Sequence, residues 1–400
     1  MKCRICGSTN LELVFDLGLQ PWGNNFLKYD QVGKEKFYPL ELLFCKDCHL
    51  SQLSFTVKKE IMFADHTYLS GMTSSLSNHF KDLAKYVNQK FNKDNLKKTI
   101  LDIGSNDGTF LKHFKKLGWE VLGVESSNNI SKIANSNQIL TLNEFYNLEC
   151  AKRISKKFDF INASGVFFHL EELHSATKGV KFNLSENGIF IIQFLYMKQI
   201  MKNVAFDQIY HEHLVYYNLK TLQNLLSIYN MEIFDAYLAD IHGGQMIAFV
   251  SHSGSYEISN RLTKLLDEEE NNNSNTISTY KNFANQAKEL KEKNLNFLNY
   301  SLQENKVIFG LGAPVKGNTL INYFGINKKM IPKLLEINSL RKNLFAPGSH
   351  IPIIMEEDES QVPDIYYVLA WNFKEEILKK NSKLIDKGIE FYFPIEVNNK

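Results

Sequence analysis

No stretch of this sequence is apolar for long enough to span a bilayer, so no membrane partner is expected. Charge of one sign is not in excess either: 46 basic residues face 44 acidic ones and leave a net charge of +2. With no long basic block, nucleic acid is not an expected partner. The chain starts MKCRICG with no apolar leader. That predicts a reducing, cytoplasmic setting, in which disulfides are rare. Cysteine itself is scarce, five residues in all, and four of them are concentrated in two CxxC pairs.

Those pairs are Cys3 with Cys6 and Cys45 with Cys48. Each turns two sulfurs toward one point, so together they are expected to close a tetrahedral all-thiolate site around Zn²⁺. Four thiolates leave no open coordination position, which makes the expected zinc structural and not catalytic. The intervening stretch is long enough to carry a small sheet of its own. Cys150 has no partner and reads as a small buried hydrophobe.

At 400 residues the chain is too long for one ordinary domain, and 44% hydrophobic content is ample for several cores. After the zinc module and a polar, helix-prone stretch, strands and helices alternate. Thr99–Ile103, Glu120–Val124, Phe158–Asn162 and Ile189–Phe194 read as buried strands, and Thr109–Leu117 as a helix. Alternation of this kind implies an α/β fold with a mostly parallel sheet. The charged segment Ser255–Asn305 reads as paired helices interrupted at Asp267–Asn275. A second strand–loop–helix–strand pattern follows at Lys306–Ile337. The expected domains are 1–58 for zinc, 59–255 for a cofactor, and 256–400 for a helical linker and a second Rossmann-like unit.

The first glycine loop, Leu101–Phe110, reads LDIGSNDGTF and departs from GxGxxG. Where a dinucleotide fold places its second glycine, this chain has Asn106, followed by Asp107, and an acid beside a phosphate is unfavourable. A cationic ligand without phosphate suits the loop better, and S-adenosylmethionine fits. Asp102, Gly104, Asn106, Asp107 and Gly108 are the expected loop contacts. Glu125, at the end of the next strand, is expected to accept both ribose hydroxyls. Asn143 and Phe145 are candidates for adenine contact.

The segment FDQIYHEHLVYY (Phe206–Tyr217) sets Tyr210, His211, Glu212 and His213 in succession. If the backbone is extended, Tyr210 and Glu212 share one face while His211 and His213 share the other. A His–Glu pair suits general base work, because imidazole titrates near neutrality and a carboxylate can orient it. His211 is the alternative base. Upstream, HTYLSGMTSS gathers hydroxyls around Tyr68, and His169 and His242 follow strands.

The second glycine loop, FGLGAPVKGNTLINYFG (Phe309–Gly325), combines free backbone, a helix N-terminus and Lys316, a combination that favours phosphate. Glu336 ends the following strand, and the PGSHIPI and WNF segments are placed to line the same crevice.

CRICG and CKDC, the Tyr68 loop, IGSNDGTFL, VLGVE, FDQIYHEH, HGG, GAPVKGNTLINYFG, PGSHIPI and WNF occur in this order along nearly the whole chain. Together they resemble the S-adenosylmethionine-dependent C-methyltransferases that act on nucleotide-linked 4-keto-6-deoxy sugars. The resemblance implies an N-terminal zinc module, a central class I methyltransferase domain and a C-terminal Rossmann-like domain for the nucleotide sugar. It implies a catalytic set of His213, Glu212, Tyr210 and Tyr68. His242, Gly312, Lys316, Asn318, Glu336 and His350 are the expected acceptor contacts. The expected reaction is removal of the proton on sugar carbon 3 by His213, with a tyrosine hydroxyl on the enolate oxygen. Departures from the family pattern at Gln193, Leu195, Ser126, Glu336 and the Ala163–Ser164–Gly165 segment lie on the expected acceptor side. They leave the sugar open, and with it O- or N-methylation. A non-catalytic nucleotide-sugar-binding protein and a dehydrogenase are the other readings. No oligomeric state is fixed, and a monomer is plausible.

Overall fold

The computed structural model describes residues 1–63, 69–72, 74–92, 96–241 and 243–396. The first sheet grows from strand β1 (Leu11–Pro21), which pairs antiparallel with β2 (Phe37–Cys45); β2 in turn pairs with β3 (Ser51–Leu53). In β2, Leu40, Leu42 and Phe44 alternate inward, as a half-buried strand requires. The register sets Leu11 opposite Cys45, which folds the second CxxC pair back onto the first.

The central unit contains β4 (Thr99–Ile103), β5 (Glu120–Val124), β6 (Thr141–Leu142), β7 (Phe158–Ser164) and β8 (Leu184–Leu195), all parallel. A two-residue strand, β9 (Val215–Tyr216), leaves this unit to pair with β3 and joins it to the zinc sheet. Strands β10 (Met231–Ala239) and β11 (Gln245–His252) extend the other edge antiparallel. The sheet order is β10-β11-β8-β7-β4-β5-β6. Because β4 lies between β5 and β7, the chain reverses direction there, and the crevice for a ligand opens at the carboxyl ends of those strands. The helix Thr109–Lys116 buries Phe110, Leu111 and Phe114, the stripe that its sequence spacing predicts.

Two helices, Asn260–Asn271 and Ile277–Gln303, follow. The longer one buries Tyr280, Phe283, Ala284 and Ala287 at helical spacing. Phe283 meets Phe15 of the zinc sheet edge-on, and Tyr280 shares a hydrogen bond with Ser51. The last sheet, entirely parallel, has the order β14-β13-β12-β15-β16, with β12 (Ile308–Leu311), β13 (Leu334–Glu336), β14 (Ile353–Met355), β15 (Ile365–Val368) and β16 (Glu390–Tyr392). Its topology repeats that of β4 to β8. Among the described residues, no helix is long and apolar enough to cross a membrane.

Candidate active site

The sulfur atoms of Cys3, Cys6, Cys45 and Cys48 all lie within 4.8 Å of one another. Without a cation this set is electrostatically frustrated. The Cys48 thiol pulls Cys3 down to about 5, whereas the interaction with Cys3 pushes Cys48 far up and burial raises Cys6 to about 11. All four can ionise together only around a cation, and this donor set fits zinc. Cys150 is buried, and burial raises its thiol to about 11, as for an inert side chain.

A cavity of about 890 Å³ opens where the two α/β units face each other. Gly104, Asn106, Glu125 and Phe145 line its cofactor side. Gly104 has φ +67°, and a Cβ there would sit 2.5 Å from Val166 Cγ2. Asn106 N–H donates to Glu125 Oε2 at 2.9 Å and Ser127 N–H to Oε1 at 2.8 Å. The carboxylate is therefore held rigidly across the loop, although burial pushes its pKa up. A carboxylate fixed at this strand end fits the ribose of S-adenosylmethionine. The other loop residues stand back from the cavity. Asp102 is buried within the sheet and accepts from Asn162 Nδ2 at 2.6 Å, and burial raises it to about 8. Asp107 Oδ1 accepts from Thr109 N–H at the helix start, and its Oδ2 accepts from Gly71 N–H. At Gly108 a Cβ would meet Ile139 at 2.9 Å. Asn143 donates to the Glu125 and Ser126 carbonyls and so braces the turn.

Residues 210–213 are a tight turn, so the alternation of faces that an extended backbone would give does not apply. His213 N–H donates to the Tyr210 carbonyl at 2.9 Å. The turn brings Tyr210, Glu212 and His213 onto the cavity wall together, with the Tyr210 and His213 rings 3.8 Å apart between centroids. His211 faces the opposite way, edge-on to Tyr38, and burial lowers it to about 4. The expected His213–Glu212 pairing is also revised. His213 Nδ1 donates to the Gln208 carbonyl at 2.8 Å, which leaves Nε2 as its basic nitrogen. Burial keeps this imidazole neutral, with its pKa well below the usual value. The Glu212 carboxyl instead accepts from Trp22 Nε1 at 2.7 Å and from the Asn24 side chain. Burial raises Glu212 to about 7. His169 lines the same wall and donates Nδ1–H to the Glu212 backbone carbonyl at 2.6 Å. Tyr68 and His242 lie outside the described residues.

On the far side, Gly312, Lys316 and Glu336 line the cavity. Gly312 takes φ +80° at its turn. Lys316 donates to Asn372 at 2.6 Å and lies 3.6 Å above the Trp371 ring. Burial lowers Lys316 to about 8 and raises nearby Asp207 to about 6. Glu336 repeats the Glu125 arrangement: its Oε2 accepts from Ala313 N–H at 3.1 Å and its Oε1 from Ile337 N–H at 2.8 Å. Two expected contacts do not reach the cavity. Asn318 donates to the Gly23 carbonyl at 2.7 Å, and His350 lies 2.6 Å from Glu35. Sequence reading missed Trp22, Asn24 and Arg341. Arg341 donates to Glu336 at 2.9 Å and lies over Phe26 on the cavity wall. A cation five residues after a strand-end acid is the local signal for Arg341. No local signal marks the other two.

Three family models match in succession: a zinc binding domain over residues 3–63, a methyltransferase domain over 76–235 and a C-methyltransferase C-terminal domain over 240–396. The C-methyltransferase NovU of Streptomyces niveus is 27% identical over 400 residues, covering 98% of this chain and 95% of its own. The chain belongs to this family of S-adenosylmethionine-dependent C-methyltransferases. Two solved structures each cover just under half of this chain. The plantazolicin methyltransferase BpumL with S-adenosylhomocysteine covers 44% of this chain and 82% of its own at 17% identity and a TM-score of 0.35. The PH0226 protein of Pyrococcus horikoshii OT3 covers 49% and 100% at 17% identity and a TM-score of 0.38. Overlaps of this size carry no argument about the acceptor. S-adenosylmethionine is the methyl source and zinc the second cofactor, which the four clustered cysteines would hold.

Proposed function

We propose that this methyltransferase acts on a nucleotide-linked 4-keto-6-deoxy sugar, at carbon 3, through an enolate. The observation that carries the reading is the shared cavity. Gly104, Asn106 and Glu125 line one side, Gly312, Lys316 and Glu336 the other, with Tyr210, Glu212 and His213 between them. In this reading residues 1–58 hold zinc, 59–255 the cofactor and 256–400 the nucleotide, and the cysteines, all free of disulfides, suit a cytoplasmic setting.

A ketone at carbon 4 acidifies the proton on carbon 3, because the resulting charge spreads onto oxygen. His213 removes that proton through Nε2, the nitrogen that its bond to Gln208 leaves basic. The imidazolium formed lies on the same cavity wall as Glu212. The Tyr210 hydroxyl donates to the developing enolate oxygen. Glu125 and the 104–106 turn hold S-adenosylmethionine, which supplies a methyl group already activated on a sulfonium for a carbon nucleophile. Lys316 and Arg341 supply positive charge for a diphosphate, and Glu336 accepts ribose hydroxyls.

Two measurements test this. Purified protein incubated with labelled methyl donor and a panel of nucleotide 4-keto sugars should yield a product labelled at carbon 3 by NMR. Without methyl donor, the wild type should exchange solvent deuterium into carbon 3, and His213→Ala should lose both exchange and methylation. Retention of both activities in His213→Ala rules out the assigned base.

A further inference from the structure

The Glu212 carboxyl group is held from outside its own domain. Its donor Trp22 lies 190 residues away in the chain, on the segment that leaves the zinc-bearing sheet. That segment is fastened at several points. Pro21 still pairs with Phe37 in the β1–β2 ladder. The Gly23 carbonyl accepts from Asn318, and Gly23 packs so closely that a Cβ would meet Val315 at 3.2 Å. Phe26 carries the Arg341 guanidinium, and Leu27 exchanges two backbone hydrogen bonds with Phe345 at 2.9 and 2.8 Å. Glu35 accepts from Gly348 N–H at 3.0 Å. Residues 21–35 thus form a strap anchored in the zinc sheet at one end and on the C-terminal unit at the other. Trp22 and Asn24 are suspended between these anchors, and Asn24 lines the cavity.

We propose that Trp22 and Asn24 are positioning residues. They fix the Glu212 carboxyl on the cavity wall that also carries His213 and make the zinc module a working part of the acceptor pocket. The proposal rests on the reading that Glu212 acts there. The physics is that of donors aimed at a carboxylate. An N–H bonded to the ionised oxygen favours the charged form, against the burial that disfavours it. Besides its two donors, Arg341 acts on Glu212 with a charge that also favours ionisation, His169 bonds its backbone carbonyl, and His213 follows it in the chain. Removing the indole N–H while keeping a ring in place takes away one donor and leaves these three unchanged.

The test uses the full-length, zinc-loaded protein. Infrared difference spectra titrate the protonated carboxyl band that disappears in Glu212→Gln. Trp22→Phe should raise its midpoint by about one pH unit, the equivalent of one hydrogen bond to a charged group. Asn24→Leu should move it in the same direction. Zinc content and S-adenosylmethionine affinity equal to wild type establish that the variants fold. A purely packing role for the strap leaves the midpoint where it is, so an unchanged midpoint in both folded variants overturns the proposal. An unchanged midpoint in one of them removes that residue, and if Trp22→Phe does not fold, Asn24→Leu decides. The readout needs no turnover. A wild type inactive on every nucleotide 4-keto sugar therefore refutes the proposed substrate while the midpoint still judges the strap. Where turnover is found, the Glu212-dependent limb of its pH profile should rise with the midpoint.

Discussion

Replacement of Asp102 by Asn separates a cofactor contact from a buried acid. Asp102 stands on β4, 3% exposed, and burial raises its pKa from 3.8 to about 8. The unfolded chain ionises near 4, so between pH 4 and 8 folding takes up a proton at this site. Its contribution to stability is fully present below the unfolded value and is lost as pH rises through the folded one. Each pH unit crossed between those two values removes ~1.4 kcal/mol. The amide introduced by Asp102→Asn cannot titrate, yet its oxygen can accept the Asn162 Nδ2 bond in the same place. The stability difference between Asp102→Asn and wild type should therefore grow in the variant's favour by ~4 kcal/mol between pH 5 and 8. Urea unfolding at both pH values, followed by the fluorescence of Trp119, reports it. That indole is buried against Phe114 and Phe160 in the same unit. Calorimetry should show S-adenosylmethionine affinity within about threefold of wild type, well under the tenfold that ~1.4 kcal/mol of lost contact would give. A difference that stays constant with pH refutes the buried-acid argument. A collapse of affinity with unchanged stability shows that the carboxylate itself meets the cofactor.

Gly104→Ala should weaken S-adenosylmethionine binding about tenfold or more by calorimetry. A left-handed backbone costs ~1–2 kcal/mol for a residue with a Cβ, and that atom meets Val166 at 2.5 Å. Trp371→Phe removes the indole N–H that donates to Asp207 at 2.6 Å, on a carboxyl whose other oxygen is buried without a side-chain partner. Denaturant unfolding should show a loss of about 1.5–3 kcal/mol. Cys45→Ser should abolish stoichiometric zinc by elemental analysis. Because the strap is rooted in the same hairpin, it should also shift the pH dependence of Glu212 in the sense expected for Trp22→Phe.

What can be read from the sequence is what short-range geometry specifies. The CxxC pairs sit on knuckles that dictate where sulfurs point, and β4, Gly104 and the helix Thr109–Lys116 follow from local periodicity and turn chemistry. The segment at 210–213 defeats the alternation rule because a turn, closed by the His213 N–H to Tyr210 carbonyl bond, interrupts it. That one hydrogen bond moves His213 to the side of Tyr210 and Glu212. His350 departs from its expected place for a different reason. Its partner, Glu35, lies 315 residues away, and nothing near Pro347–Pro352 signals a contact with the strap. Trp22 is invisible on the same ground, since its partner is chosen by how three units pack and not by its neighbours in PWGNN.

The two α/β units share one device, and this explains why the cavity lies between them. In each, the first strand enters a glycine turn, the second ends in an acid, and a turn amide reaches back to that acid: Asn106 to Glu125 and Ala313 to Glu336. A carboxylate clamped in this way cannot swing toward solvent, so its remaining lone pairs keep one direction, which suits vicinal hydroxyls. Both clamped acids open onto the same space, so on the proposed reading two ribose-bearing molecules lie end to end with their reactive groups meeting in the middle. The short segment in the middle is held by contacts from all three units. His213 takes its orientation from Gln208, and the neighbouring Asp207 is gripped by Trp371 of the C-terminal unit. Glu212 takes its orientation from the zinc module. A rigid-body shift of either outer unit by about 1 Å would break a 2.6 or 2.7 Å bond to this short segment while leaving both ligand sites intact. Substitutions at these two indoles should therefore lower kcat and leave ligand binding nearly unchanged, whereas substitutions at the clamped acids should weaken binding.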